Sequence, residues 1–359
     1  MEKERVGKIQ FSAKDKKVFF CVRGDETSVI LDADGEPLAL PAKKLGGGGT
    51  ANVYRVPAGA FPIPIAIKRY TDGILTENGS AIEPFLRSLI EFRKNQSDDT
   101  RKAIDHYILW PQRLVHDNDS GKVCGFTMQL IPDLFFVKMQ IAGEDEIKES
   151  NLDFVLHGAD FRRKYGLPVL TAKGRAKIVY DFIRVVAVLH EHDYVLGDLS
   201  PKNILIAVDK DNQSNNRILL IDADSFRKKG SIHPLKQLHT PDWIPPECQK
   251  ASLELSKLTP NANPNLIARL KIDTFIQNQN TDIYKMCLAI TRMYHDGGHA
   301  SIITDSASAD KKLRKDVGED FAGLILLGLS GKPDERPAVG ALLTCFRNAM
   351  LAKQKKGLR

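Results

Sequence analysis

The chain has 359 residues, of which 42% are hydrophobic and 27% are charged, and its formal net charge is +7. This length fits one large domain of two lobes or two ordinary domains, and the apolar fraction excludes a chain that is disordered throughout. No apolar run is long enough to span a bilayer, so we expect no membrane span.

The distribution of charges and cysteines narrows the choice of partner and compartment. Basic residues are spread along the chain, so we expect no nucleic-acid partner. The charged residues 1–5 lack the apolar core of a signal peptide. The five cysteines are scattered without a C-x-x-C pair, which argues against a zinc site or a disulfide framework. We therefore expect a cytoplasmic protein.

The beginning of the chain, residues 1–42, is predicted to be a small β extension. Residues 18–22 and 28–31 are rich in β-branched and aromatic side chains, which are typical of strands. Arg23, Gly24 and Asp25 between them supply a turn signal.

The next segment, residues 43–130, is predicted to be a β-rich lobe with one helix. Strand-like apolar runs fall within residues 45–70 and again within residues 106–131. Between them, residues 81–95 have the pattern of a helix.

The remainder, residues 131–359, is predicted to be a larger and mostly helical lobe. Apolar residues at a spacing of three to four predict a buried helix through Ile178, Phe182, Val185 and Leu189. Two further helices are predicted near 282–294 and 338–351, and two strands at 203–208 and 217–221 flank the polar loop 209–216. The predicted fold class is therefore α+β.

The first segment that carries chemistry is a run of glycines. Residues 46–53 fit the pattern G-x-G-x-x-G-x-V, with Ala51 in the third glycine position. Glycines let backbone N–H groups approach phosphates, but a run of four is also typical of a flexible linker. Further on, alternation along residues 65–68 places Ala66 and Lys68 on one face of a strand, where the lysine can reach bound phosphates.

Two segments with acidic residues come next. The first follows the predicted buried helix, and the second follows a predicted strand. Asp198 can accept a proton from an incoming hydroxyl, and Asn203, five positions later, offers an oxygen to a metal ion. Asp222 ends an apolar strand and suits magnesium, which prefers hard oxygen ligands. Two interpretations of Asp224 stay open: a second carboxylate near the metal, or a cap for the following turn.

In this order, the segments resemble the protein kinase family of the serine/threonine type, over roughly residues 45–336. The resemblance implies a bilobal kinase fold, with ATP and Mg²⁺ as cofactors and a protein as substrate. It implies catalytic roles for Asp198, Lys68 and Lys202, and magnesium binding by Asn203 and Asp222. Residues implied to bind the nucleotide are Gly46, Gly48, Val53, Ala66, Lys68, Glu83, Met128, Leu130 and Leu205.

Some of these implied roles have alternatives. Glu83 is expected to be the helical glutamate that pairs with Lys68, with Glu91 as the second choice. Because Pro84 follows Glu83, we expect that glutamate at a helix start. Met128 is placed like a gatekeeper residue, and a plain core methionine is the alternative.

Three later residues favour a protein kinase over a small-molecule kinase. Glu247 resembles the glutamate that ends an activation segment, and Arg336 resembles the arginine that pairs with it. Asp282 resembles the helix aspartate that braces the catalytic loop. Residues 248–281 form a longer connection than the family usually has, either a platform for a partner or substrate or a tolerated insertion.

The sequence also departs from the family pattern around the catalytic aspartate. Gly197 replaces the usual arginine and cannot pair with a phosphate, so we expect activity without a phosphorylated loop residue. Ser200 replaces the usual lysine, and Lys202 is either its substitute or a solvent-facing side chain. Ala223 and Asp224 replace Phe-Gly of the metal motif, which predicts a segment that switches less readily.

The predicted function is transfer of the γ-phosphate of ATP to a serine or threonine hydroxyl of a protein. Two alternatives stay open: a pseudokinase scaffold that binds nucleotide, and a kinase-fold enzyme that transfers another group such as AMP. The sequence leaves the oligomeric state and the physiological substrate open.

Overall fold

The computed structural model describes residues 5–10, 17–22, 28–31, 43–56, 64–117, 120–259, 261–295 and 307–357, with side chains from 45 to 355. The chain divides into two compact units. The first comprises the residues up to Ile131 together with Asp222–Asp224 and Ile232–Lys236. The second comprises Pro132–Ile221, Ser225–Ser231 and the residues from Gln237 onward.

The first unit is built on one sheet, which has eight strands in the described ranges. These are β1 (Arg5–Gln10), β2 (Lys17–Val22), β3 (Ser28–Leu31), β4 (Lys43–Gly47), β5 (Ala51–Arg55), β6 (Ile65–Tyr70), β7 (Arg113–Asp117) and β8 (Val123–Gln129). Their order across the sheet is β1-β2-β3-β7-β8-β6-β5-β4, and β3 with β7 is the parallel pair. The strands predicted at 18–22 and 28–31 are confirmed. The turn predicted at Arg23, Gly24 and Asp25 lies outside the described residues.

Two helices, and not the one predicted, belong to the described part of the first unit. They are α1 (Asp72–Lys94) and α2 (Asp98–Tyr107). Helix α1 begins well before the predicted start, so Pro84 lies inside it and not at its beginning. Its buried face, Ile82, Leu86, Leu89 and Ile90, stabilises the helix in spite of the hydrogen bond that a proline removes.

The second unit is mostly helical, as predicted. Its helices are α3 (Leu152–Leu156), α4 (Ala159–Lys164), α5 (Ala172–Glu191), α6 (Pro246–Ser256), α7 (Pro264–Asp273), α8 (Gln279–Tyr294), α9 (Ala307–Asp316), α10 (Glu319–Leu327) and α11 (Val339–Gly357). Three antiparallel strand pairs complete it: β9 (Phe136–Ile141) with β10 (Glu144–Glu149), β11 (Tyr194–Val195) with β14 (Arg227–Lys228), and β12 (Ile204–Ala207) with β13 (Arg217–Leu220). Among the residues covered by the structure, no helix is long and apolar enough to cross a membrane.

Helix α8 is the central element of the second unit. Its residues 281–294 are all buried, including Asp282 and Lys285. The helix starts at a capping box, in which the Asn278 side chain accepts from the backbone of Thr281 and the Thr281 hydroxyl accepts from the backbone of Asn278. Buried charges need partners, and Asp282 and Lys285 find theirs in the loop that contains Asp198.

Candidate functional site

The glycine run forms a hairpin and not a flexible linker. Gly46 lies opposite Val53 in the β4–β5 pair, and the Gly48 N–H donates to the Ala51 carbonyl at 2.9 Å. A Cβ atom at Gly46 or Gly48 would meet no other atom within 4 Å. Packing therefore does not require glycine at these positions.

The sheet brings most of the predicted nucleotide-binding residues of the first unit onto one face. Lys68 lies opposite Val53 on β5, and Ala66 lies opposite Met128 on β8. Residues directly opposite one another share a face, and so do residues two apart on one strand. Leu130 follows β8, and its N–H donates to the Pro64 carbonyl at 3.0 Å, so that amide already has an acceptor.

Lys68 lies at the centre of a buried cluster of polar side chains. Its ammonium donates to Asp222 Oδ1 at 3.0 Å and to Asp224 Oδ1 at 2.7 Å. Tyr70, on the same face of β6, donates its hydroxyl to Asp224 Oδ2 at 2.9 Å. Burial lowers the pKa of Lys68, but the two carboxylates outweigh it and hold that pKa above its usual value. Lys68 therefore stays charged.

The predicted pair between Lys68 and Glu83 is not formed, which corrects the sequence-based expectation. Glu83 accepts from Arg87, one turn along α1, at 2.8 Å, and its side chain is 42% exposed. Glu91, the second choice, is exposed. The carboxylates that neutralise Lys68 come instead from Asp222 and Asp224.

Asp222 and Asp224 differ in what they can offer a ligand. The side chain of Asp222 is 43% exposed, whereas that of Asp224 is 7% exposed. Asp222 also adopts a φ of 59°, a left-handed conformation that aspartate tolerates better than most residues. Asp224 is the buried partner of Lys68 and Tyr70, a role that neither predicted interpretation of it included.

In the second unit, Asp198 and Asn203 are joined by two hydrogen bonds. The Asn203 amide Nδ2 donates to the Asp198 backbone carbonyl at 2.9 Å and to its carboxylate Oδ2 at 3.0 Å. Because Nδ2 makes both bonds, the amide orientation is fixed and its carbonyl oxygen points away from them. This geometry leaves an oxygen of the type that magnesium prefers.

Helix α8 contacts the loop before Asp198 through two charged side chains. Asp282 accepts from the N–H groups of Leu196 at 2.9 Å and Gly197 at 3.3 Å, which confirms its predicted bracing contact. Lys285, one turn further along α8, donates to the Gly197 carbonyl at 2.8 Å. Burial lowers the pKa of Lys285, and the carboxylates of Asp282 and Asp198 oppose this. Its position three residues after Asp282 is the sequence signal that could have identified it.

A glutamine fills the space next to Gly197. Gly197 has a φ of 69°, and a Cβ there would lie 2.9 Å from Gln237 Nε2. Gln237 donates to the Ser225 carbonyl at 2.6 Å and accepts from Arg227 at 2.8 Å. These two bonds lie within the segment after Asp224, and the Ser225 hydroxyl joins that segment to the loop by donating to the Leu196 carbonyl at 3.2 Å.

The other predicted residues of the second unit lie in varied surroundings. Lys202 is exposed in the short 3-10 helix Pro201–Asn203. Leu205 is fully buried on β12, opposite Leu219. The predicted pair between Arg336 and Glu247 is confirmed as a two-bond contact, at 2.9 and 2.6 Å.

The predicted metal-binding residues offer oxygen atoms and not a closed cluster of ligands. Within the described ranges, no three His, Cys, Asp or Glu side chains gather into a metal-binding group. Magnesium usually takes only one or two carboxylates from protein and completes its shell with water and phosphate oxygens. The exposed carboxylate of Asp222 and the amide oxygen of Asn203 are ligands of this kind.

Comparison with known proteins gives a relationship to kinases at low identity. No family model matches the chain. The chain is 23% identical over 286 residues to protein kinase YegI of Escherichia coli strain K12, which is 78% of this chain and 35% of that protein. It is also 23% identical over 222 residues to protein kinase YegI of Escherichia coli O157:H7, covering 61% of this chain and 28% of that protein. The chain thus spans about a third of the length of these relatives, and the similarity supports a kinase-like chain.

Proposed function

We propose that this chain is a protein kinase that transfers the γ-phosphate of ATP to a serine or threonine hydroxyl of a protein. The observation that carries the proposal is the loop around Asp198, whose carboxylate is fixed by Asn203 and whose backbone is braced by Asp282. A general base acts only from a defined position, and this loop supplies one.

In the proposed reaction, Lys68 binds the α- and β-phosphates, and the hairpin around Gly48 covers them with backbone N–H groups. Asp198 accepts the proton of the substrate hydroxyl as that oxygen attacks the γ-phosphorus, and the bond from the γ-phosphorus to the β–γ bridging oxygen breaks to release ADP. Asn203 and Asp222 would hold Mg²⁺, which neutralises charge on the phosphates when bound. Lys202, which is exposed, is the proposed source of positive charge for the transferred group.

A protein is the proposed substrate because of the contacts that follow the catalytic loop. Glu247 in α6 and the buried Arg336 form a two-bond ion pair, and α7 follows in the same long connection. These two residues resemble a pair by which protein kinases differ from small-molecule kinases. The name of the relatives, protein kinase, agrees with this proposal.

The test is incubation of the purified chain with magnesium, a generic protein substrate and ATP labelled on the γ-phosphate. We expect label on protein, reduced about 10²- to 10⁴-fold in Asp198→Asn, the usual contribution of a general base. The matched control is Asp211→Asn, which makes the same chemical change at an exposed position of the polar loop.

Each other outcome supports a different function. Nucleotide binding without transfer of label from any position would favour the pseudokinase scaffold. Transfer of label only from the α-phosphate would favour AMP transfer. Equal labelling by wild type and Asp198→Asn would refute the proposed base.

A further inference from the structure

Lys68 has two acidic neighbours, and they differ in how far solvent and ligands can reach them. The Asp224 contact is the shorter, at 2.7 Å against 3.0 Å for Asp222. The Asp224 side chain is 7% exposed and that of Asp222 is 43% exposed. Water has little access to the carboxylate of Asp224 and so competes little with Lys68 for it. The ion pair with Asp224 is therefore the better shielded of the two.

Asp224 is itself held in place by two further contacts. Its second carboxylate oxygen accepts from the Tyr70 hydroxyl at 2.9 Å. Its backbone carbonyl lies 2.8 Å from Nε2 of His233. The His233 ring in turn packs edge-on against Phe85 of α1, with ring centroids 4.6 Å apart. Both the side chain and the backbone of Asp224 are therefore anchored within the first unit.

Helix α1 supports this cluster through an aromatic contact and not through a carboxylate. Glu83 on α1 is engaged with Arg87 and is 42% exposed. In the family that the sequence resembles, a helical glutamate holds the phosphate-binding lysine. In this chain that place is taken by a residue of the metal motif, at a position where the family pattern has glycine.

We infer that Asp224 is the positioning residue for Lys68, holding its ammonium for the phosphates of ATP and leaving Asp222 available to the metal. This inference rests on the proposed function and deepens it. In the family that the sequence resembles, a glutamate on a helix holds the lysine. In this chain, Asp224 holds it, two positions after the predicted metal ligand Asp222. Because Asp224 acts through Lys68, its loss affects phosphate binding and not adenine or ribose binding.

The test compares ATP and adenosine as ligands of the full chain, by calorimetric titration. We expect Asp224→Asn to raise the Kd for ATP about 10- to 100-fold, the loss typical of a buried hydrogen bond between charged groups. The Kd for adenosine should change by less than about twofold, since adenosine has no phosphate for Lys68 to bind. Glu77→Gln, a charge removal at an exposed position of α1, is the matched control.

A second variant keeps the inference testable if Asp224→Asn does not fold. Tyr70→Phe removes the other hydrogen bond of Asp224 and should raise the Kd for ATP about three- to tenfold, again without affecting adenosine. The melting temperature of each variant, measured in parallel, separates a selective rise in the Kd for ATP from a loss of stability. A loss of stability would weaken the binding of both ATP and adenosine.

The outcomes separate this inference from the proposed function. A wild-type chain that binds no ATP would overturn the proposed function, and this inference with it. A wild-type chain that binds ATP, with Asp224→Asn binding it as tightly as Glu77→Gln does, would overturn this inference alone. The same holds if Glu83→Gln, and not Asp224→Asn, weakens ATP selectively, because the helix would then supply the counter-ion.

Discussion

Removal of the Asp282 carboxylate should disconnect the loop before Asp198 from helix α8. Asp282→Ala leaves the N–H groups of Leu196 and Gly197 without their acceptor in a buried environment. Each buried unsatisfied N–H costs about 1–3 kcal/mol, so the two together predict a loss of about 2–6 kcal/mol in the free energy of unfolding. His190, whose Nε2 lies 3.1 Å from Asp282 Oδ2, loses its partner as well.

A loss of this size is a large part of the stability of an ordinary domain, so a milder variant is also needed. Asp282→Asn keeps one carbonyl oxygen but turns an NH₂ group toward the second backbone N–H. We expect an intermediate loss of about 1–3 kcal/mol. Asp273→Asn, on the more exposed helix α7, is the matched control and should leave the unfolding midpoint unchanged.

The assay combines denaturant unfolding with hydrogen exchange of the two amides concerned. A loss of about 2 kcal/mol corresponds to roughly 30-fold faster exchange at Leu196 and Gly197. Denaturant unfolding can be followed by the fluorescence of Trp243, which is buried in the same unit. The bracing role of Asp282 would be refuted by a loss below about 1 kcal/mol in Asp282→Ala, or by unchanged exchange at both amides.

Three further predictions concern the same unit. Gly197→Ala should lose about 1–2 kcal/mol of stability, because its positive φ and its contact with a neighbouring side chain both disfavour a Cβ; Gly331→Ala, which meets open space, is the control in denaturant unfolding. Burial and the nearby positive charge of a lysine lower the pKa of His239 to about 4 from the usual 6.5. Between pH 6.5 and 4 the unfolded chain therefore binds a proton at His239 that the folded chain does not bind. The free energy of unfolding should fall as the pH drops through this range. His239→Gln should reduce this pH dependence, measured by urea unfolding at pH 7 and pH 5. Arg336→Met should lose about 3–5 kcal/mol because it leaves a carboxylate without its partner, whereas the exposed Lys332→Met should not shift the unfolding midpoint.

The contacts and strand positions that could be expected from the sequence belong to short segments with a defined spacing. Asp198 and Asn203 lie five positions apart, and a loop of that length brings their side chains together. Lys68 and Ala66 follow from strand alternation. Asp282 and Arg336 follow from the resemblance to protein kinases, and the structure gives each the expected contact.

The partner of Lys68 could not be predicted in the same way, because the contact joins residues 156 positions apart in the chain. Spacing describes neighbours on one strand or helix and does not select among distant carboxylates. The sequence favoured Glu83 because the family places a glutamate on that helix. The alternation along β6 that places Lys68 on one face also places Tyr70 on that face. A single tyrosine, however, gives no reason to expect a carboxylate beside it.

The start of helix α1 was missed for a physical reason as well. Its first two turns contain two glycines, Gly73 and Gly79, and few apolar residues, so they have neither high helix propensity nor a clear apolar face. The neighbouring turns bury that face, and a helix once started extends at little cost. Pro84 then lies inside an established helix and not at its first turn.

The burial of Asp224 also bears on the design of inhibitors. A compound that displaced residues 222–224 would leave the Lys68 ammonium and the Tyr70 hydroxyl without their acceptor. Each buried donor left in this way costs about 1–3 kcal/mol, so an uncharged displacing compound would start with a loss of affinity. A compound that carries its own carboxylate or other anion to the same depth would recover that loss.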